Sequence, residues 1–374
     1  MSISDTAYRW IESFLRFPSA GLDISDERAK IASFSFRNGI RGDFFSAIDI
    51  PRGIIEQGEI KNEEEFVRVF QEWAGREKKF FRSHACVVAL PEEKGFVRLL
   101  DIPKIKAEEV GSAIRWQVET NIPLKPEELY YDYQVIERGV SASPETTSQG
   151  GHPADHLEVM LIAYPRVIVD SYTKNLLAAG IRLAALECES QAVARALLSG
   201  PTASATQILI DMGRTRTGLA VVAGGALIFT TTIPVGGATL EEMIAKELNV
   251  EAKEAARLKK EVGLDRAAMG GSVFSSLVPT IAALASEIRQ AMEFYQNWAG
   301  SHGGMATSFS SVVLSGGDAN LLGLDTYLAA TLRVPVVRGD PFAGIRAHGG
   351  APIPSLMKNE ALGYTTAIGL ALRE

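Results

Sequence analysis

Gly21-Leu22-Asp23-Ile24-Ser25 and Ile210-Asp211-Met212-Gly213-Arg214-Thr215-Arg216-Thr217 share one arrangement: an apolar strand, an acidic residue near its end, and a polar turn. Around the first, extended segments at 22–25, 31–36 and 44–50, parted by Asn38-Gly39 and Arg41-Gly42, predict a three-stranded meander. Around the second, segments at 207–212, 217–222 and 226–233, with a Gly224-Gly225 turn, predict another. A strand-turn-strand-turn-strand plan met twice is how a lobe built in duplicate shows itself in a sequence.

The acids suit a metal. Mg²⁺ keeps much of its hydration shell and is held by carboxylates through water, so Asp23 and Asp211, opposed across a cleft, are candidate Mg²⁺ residues. Lys30, on the strand after Asp23, is placed to meet a phosphate oxygen. Gly213 allows close backbone approach, and the hydroxyls of Thr215 and Thr217 can donate to phosphates. A third loop, Leu314-Ser315-Gly316-Gly317-Asp318-Ala319, sets a double glycine between a strand and a helix, where amides and the helix start can contact a nucleotide. Any one of these loops alone is ordinary turn chemistry. Two acidic hairpins opening two meanders, then a double glycine beyond a helical block, form the layout of an actin-like ATPase.

The intervening chain divides accordingly. A helix at 62–76 and a strand at 85–90 complete the first meander. Residues 92–180 have their own rhythm: strand 96–102, helix 107–120, strands 131–137 and 157–163, helix 166–179. Within it, 139–155 is rich in Ser, Thr, Gly and Pro and predicts a hairpin loop, while Ile114, Trp116 and Val118 are expected in the core. Helices at 240–248, 252–262 and 278–299 form the helical block. The expected fold is α/β, an actin-like (ribonuclease H-like) two-lobed ATPase fold with an inserted small α+β subdomain and a helical subdomain. Its parts would be an amphipathic helix at 1–20, a first lobe at 21–91 with 181–206, the insertion at 92–180, a second lobe at 207–239 with 309–374, and the helical subdomain at 240–308.

Composition narrows the partners. The formal charge of −7, from 45 acidic and 38 basic residues among 374, offers no broad positive field for a nucleic-acid backbone. The two cysteines, Cys86 and Cys188, have no metal-type spacing and suit a reducing compartment. No apolar run approaches the ~18–20 residues that cross a bilayer. Gly-x-x-x-x-Gly-Lys-Ser/Thr, Gly-x-Gly-x-x-Gly at the first strand, His-Glu-x-x-His and Gly-x-Ser-x-Gly are all absent, which disfavours P-loop, Rossmann, metalloprotease and serine-hydrolase readings.

Further marks converge on one family. Ala113-Ile114-Arg115-Trp116-Gln117-Val118-Glu119 leading to Ile122-Pro123-Leu124, Tyr131-Asp132-Tyr133-Gln134-Val135, Ile233-Pro234-Val235-Gly236-Gly237, Glu254-Ala255 with Leu258-Lys259, and Asp340-Pro341-Phe342 follow one another in order. With the three loops, they make the chain from about Gly21 onward resemble the PilM proteins of type IV pilus assembly, themselves similar to the division protein FtsA. The resemblance implies an ATP-holding cleft with Mg²⁺ carried by Asp23 and Asp211. It implies phosphate contacts from Ser25, Lys30, Gly213, Thr215 and Thr217, and Gly236, Gly237, Lys259, Gly316, Gly317 and Asp318 around the rest of the nucleotide. Glu189 is the candidate for positioning water. An extra (SHS2-type) subdomain at 92–180 is implied too, together with a partner: the cytoplasmic N-terminal tail of a PilN-type inner-membrane protein, which would recruit a cytoplasmic scaffold to the membrane. The chain departs from the family pattern at Ser25, where glycine is usual, at Asp26-Glu27-Arg28 and Arg214/Arg216, where small or hydroxyl residues are usual, and at Ala256, where an acid is common. ATP turnover is therefore not implied. The alternatives are a sugar or acetate kinase of the same superfamily, which needs a base for the accepting hydroxyl, and an FtsA-like division protein, which usually carries a membrane-binding helix beyond the core.

Overall fold

Alternation in Ser19–Ile24 (β1) puts Ala20, Leu22 and Ile24 on one buried face. This strand pairs antiparallel with Arg28–Phe34 (β2), which pairs with Asp43–Asp49 (β3). The computed structural model describes residues 19–34, 43–136, 156–198, 205–302, 307–347, 356 and 358–373. The loop expected at 139–155 lies outside them, as does the helix expected at 1–20 apart from Ser19 and Ala20, which belong to β1.

After the short hairpin of Ile55–Glu56 (β4) and Glu59–Ile60 (β5), Asn62 caps Glu63–Arg76 (α1) by accepting from the Glu65 amide at 3.0 Å. Phe66, Phe70 and Trp73 turn the inner face of α1 onto the sheet. Lys78–Ser83 (α2) leads into Ala85–Leu90 (β6), parallel to β1. The insertion follows: Phe96–Pro103 (β7), Ala107–Asn121 (α3), Leu129–Ile136 (β8) and His156–Pro165 (β9) form a sheet of order β7-β9-β8 with α3 on one face. Val110, Ile114 and Val118 are buried at i, i+4 spacing, whereas Trp116 is 61% exposed. That corrects the core position expected for Trp116, because two residues on from Ile114 the helix has turned by about 200°. Arg166–Ala178 (α4) then returns the chain to Leu183–Cys188 (β10), a strand that joins the first sheet beside β6.

Beyond Glu189–Leu197 (α5) the second sheet contains Gln207–Met212 (β11), Thr217–Ala223 (β12), Ala226–Ile233 (β13), Ser311–Ser315 (β14) and Val336–Arg338 (β15). Its order, β13-β12-β11-β14-β15, matches the first sheet read as β3-β2-β1-β6-β10. Each sheet is a meander extended by two parallel strands, so β1 and β11 are equivalent, and Asp23 and Asp211 are both the penultimate residue of their strand.

The helical block holds Gly237–Leu248 (α6), Ala252–Glu261 (α7) and Ser272–His302 (α8). Among the described residues, Ala268–Gly300 is long and apolar enough to cross a membrane, unlike the sequence expectation. Its Val273, Leu277, Ile281, Leu284 and Ile288 are buried in the core of the second lobe. Leu324–Leu332 (α9) covers the same sheet.

The final helices pack against the first sheet and α5. Ala343–Ala347 (α10) packs on α5, and Thr365–Ala371 (α12), reached through Lys358–Leu362 (α11), packs on β1, β2, β6 and α5. A methyl group on Gly21 would collide with the Ala367 carbonyl, and one on Gly369 with the Ala192 carbonyl. The first sheet and α5 are thus closed by residues that the expectation assigned to the second lobe. Behind the cleft the lobes share an apolar cluster running from Leu22 and Ile31 through Val193 and Leu197 to Leu209 and Val313.

Candidate functional site

The β1–β2 and β11–β12 hairpins point into one cavity of about 760 Å³, lined also by the β14 loop and α11. Asp23 and Asp211 face this cavity together. Burial, with the nearby Asp211 charge, pushes the Asp23 pKa up to about 6, against the pull of Lys30 and Arg216. Burial also raises Asp211, opposed by Lys30 and by hydrogen bonds from Ser315 and Thr366. The Ser315 hydroxyl lies 3.1 Å from Asp211 Oδ1, and Thr366 Oγ1 lies 3.4 Å from Oδ2. Lys30 Nζ donates to the Gly363 carbonyl.

The two turns carry the departures from the family pattern, and those departures answer each other. Arg214 Nε donates to Glu27 Oε2 at 2.6 Å, and its Nη1 reaches Glu241 at 3.1 Å. Arg216, only 13% exposed, donates to Asp26 at 3.2 Å and Glu189 at 3.1 Å and forms an ion pair with Glu93 at 2.8 Å. Asp26 is itself fixed by the amides of Gly58 (3.0 Å) and Gln57 (3.2 Å). Burial drives the Glu189 carboxyl well above the ordinary range, with Arg216 pulling it back. Glu189 therefore lines the cavity but is tied to a guanidinium.

Ser25, Gly213 and Thr215 also line the cavity. The Ser25 hydroxyl donates to the Arg28 carbonyl at 2.9 Å, and the Gly213 amide donates to Arg216 O at 2.9 Å, so both close their own turns. Thr217 does not reach the cavity. It is fully buried, and its hydroxyl donates to Val235 O at 2.6 Å, which corrects its expected phosphate contact. Gly316 (φ 91°) has Met212 backbone where a Cβ would stand, and its amide donates to Leu362 O at 3.0 Å. Gly317 has open space on its Cβ side. Lys259 Nζ donates to Asp318 and to Gly237 O at 3.3 Å and forms an ion pair with Glu241 at 2.8 Å. Gly236 and Gly237 lie behind the cavity wall. The amides of Gly237 and Ala238 donate to the Gly213 and Arg214 carbonyls, so these glycines dock α6 under the second hairpin and do not face the cavity.

The donor set fits a hydrated divalent cation: two half-buried carboxylates facing one cavity, whose charges are costly alone, with hydroxyls from Ser315 and Thr366 orienting one of them. The open face of Gly317 fits a flat ligand group beside it. Ser315 stood inside a quoted motif, but Thr366 and Gly363 come from a distant segment, and only the packing of α12 brings them here.

A second depression, of about 680 Å³, lies between the insertion and the first sheet. β8 and β10, the edge strands of their sheets, contribute Tyr130, Tyr133 and Leu186. Tyr130 stacks on Arg166 at 4.1 Å and donates to Asp170 at 3.1 Å. Arg195 and Arg373 flank Glu187 at the far wall.

The family model described as "Type IV pilus assembly protein PilM" matches residues 21–374. The chain is similar to a solved "PilM-PilN type IV pilus biogenesis complex" at 22% identity, covering 96% of this chain and 98% of that one, with a TM-score of 0.74. It is also similar to ethanolamine utilization protein EutJ from Carboxydothermus hydrogenoformans (15% identity, 94% and 88% covered, TM-score 0.55). A third is MreB5 of Spiroplasma citri bound to ADP (12% identity, 89% and 94% covered, TM-score 0.53). At these identities the three likenesses establish a shared two-lobed actin-like fold.

Proposed function

This chain belongs to the PilM family of type IV pilus assembly proteins, and we propose that it is a nucleotide-holding scaffold that captures the cytoplasmic N-terminal tail of a PilN-type membrane protein. The observation that carries the reading is the depression between β8 and β10. Two edge strands, aromatic walls and fixed charges at one end suit an extended peptide, whose main chain pairs with an edge while its side chains enter the pocket. A tail held there would bring the protein to the inner face of the membrane.

In the cleft the reading is an adenine nucleotide with Mg²⁺. Asp23 and Asp211 would hold the metal through water, Lys30 and Thr215 would meet phosphates, and Gly316, Gly317, Asp318 and Lys259 would surround the adenosine. Bound Mg²⁺ would supply positive charge to the phosphates and relieve the repulsion between the two acids. Glu189, tied to Arg216, is poorly placed to orient water, so the reading is of a structural ligand and not of turnover. The insertion would form one wall of the peptide groove.

Calorimetric titration of the full chain with a synthetic PilN-type tail peptide tests the proposal. The Tyr130→Ala/Tyr133→Ala double variant, checked for folding by circular dichroism, is expected to weaken binding by at least about tenfold, the scale of losing an aromatic anchor. Unchanged affinity would move the tail elsewhere.

A further inference from the structure

Resting on that reading of the cleft, we infer that the charged turns of the two hairpins make it selective for a nucleoside diphosphate over the triphosphate. A nucleotide with its base beside Gly317 and its metal at Asp23 and Asp211 directs its last phosphate at the two turns. The guanidinium groups there are already committed. Arg216 is largely buried and is ion-paired with three carboxylates, donating to two of them. Turning it toward a ligand would strand those acids in a low dielectric. Asp26 cannot follow it, because two backbone amides hold it in place. Arg214 is paired with Glu27 across the cleft. A terminal phosphate would meet the Glu27 carboxylate with no cation released to balance it, and close like charges repel strongly when partly buried. Lys30, whose ammonium rests on a carbonyl and not on a carboxylate, can turn to an inner phosphate at little cost. The acidic turn of one lobe thus occupies the basic turn of the other much as a third phosphate would.

Calorimetric titration of the full chain with Mg·ADP and with Mg·ATP, or a non-hydrolysable analogue, reads the selectivity directly. The wild type is expected to bind the diphosphate at least about tenfold more tightly, a difference of about 1.4 kcal/mol. Glu27→Gln, which removes a negative charge from the turn and leaves Glu241 as the one carboxylate bonded to Arg214, is expected to narrow that ratio several-fold. Equal or tighter binding of the triphosphate by the wild type overturns the inference while leaving the cleft a nucleotide site. A ratio unmoved in a folded Glu27→Gln variant also overturns it. If neither nucleotide binds, the reading of the cleft fails and the inference falls with it. The wild-type ratio decides the matter even should Glu27→Gln not fold.

Discussion

Asp23 occupies a place where a negative charge is hard to keep. Burial and Asp211 raise its pKa from 3.8 to about 6, so the folded protein retains a proton that the unfolded chain has lost. Stability contributed by that proton is full at low pH and is lost as pH rises from 3.8 through about 6. A gap of about two pH units corresponds to about 3 kcal/mol. Asp23→Asn is therefore expected to raise the Tm of the ligand-free protein near about pH 7.5 and to flatten its pH dependence on the acid side, in thermal melts over about pH 4–8. A lowered Tm at the upper pH would contradict this account. Thr217 shows the limit of reading single residues. A hydroxyl two positions past Thr215 is a reasonable phosphate contact in sequence, but its acceptor, Val235 O, in the link between β13 and α6, captures it.

At the scale of the element, β6, β11 and β13 were legible to their ends, because apolar β-formers bounded by turn residues leave little choice. β10 was not: Leu183-Ala184-Ala185-Leu186-Glu187-Cys188 lacks a strong alternation, and it is a strand because β6 offers it a parallel edge. The Asp23–Asp211 pairing was legible from the repeated hairpin, but the bridges between Asp26/Glu27 and Arg214/Arg216 were not. They depend on how two equivalent turns of opposite charge face each other. The placement of α12 was hidden for a similar reason. Seven small or aliphatic buried residues signal a core helix without saying which core. Gly369→Ala would drive a methyl into the Ala192 carbonyl on α5. Overpacking of this kind costs ~1–3 kcal/mol where neighbours can yield. A backbone carbonyl yields little, so urea denaturation is expected to show a loss at the top of that range or more, and a neutral result would mean that α12 does not dock here.

For the whole molecule, the lobes meet at a shared apolar cluster behind the cleft and at the Arg216 cluster inside it. Removing the cation from a buried ion cluster typically costs ~3–5 kcal/mol, because the anions remain. Arg216→Met is expected to lose that much in denaturant titrations at neutral pH, and to regain part of it on mild acidification as the orphaned carboxyls of Glu93 and Glu189 take up protons. A loss that does not change with pH would show that these acids are not compensated by Arg216. The docking of α12 against β1 has a consequence in time as well as in space. Domains usually fold in the order in which they leave the ribosome, yet the N-terminal sheet lacks a layer of its core until α12 has been made. The contiguous second sheet and its helices, from β11 to β15, can settle first. The earliest strands to emerge must wait, partly uncovered and open to chaperones, for the helix that completes them.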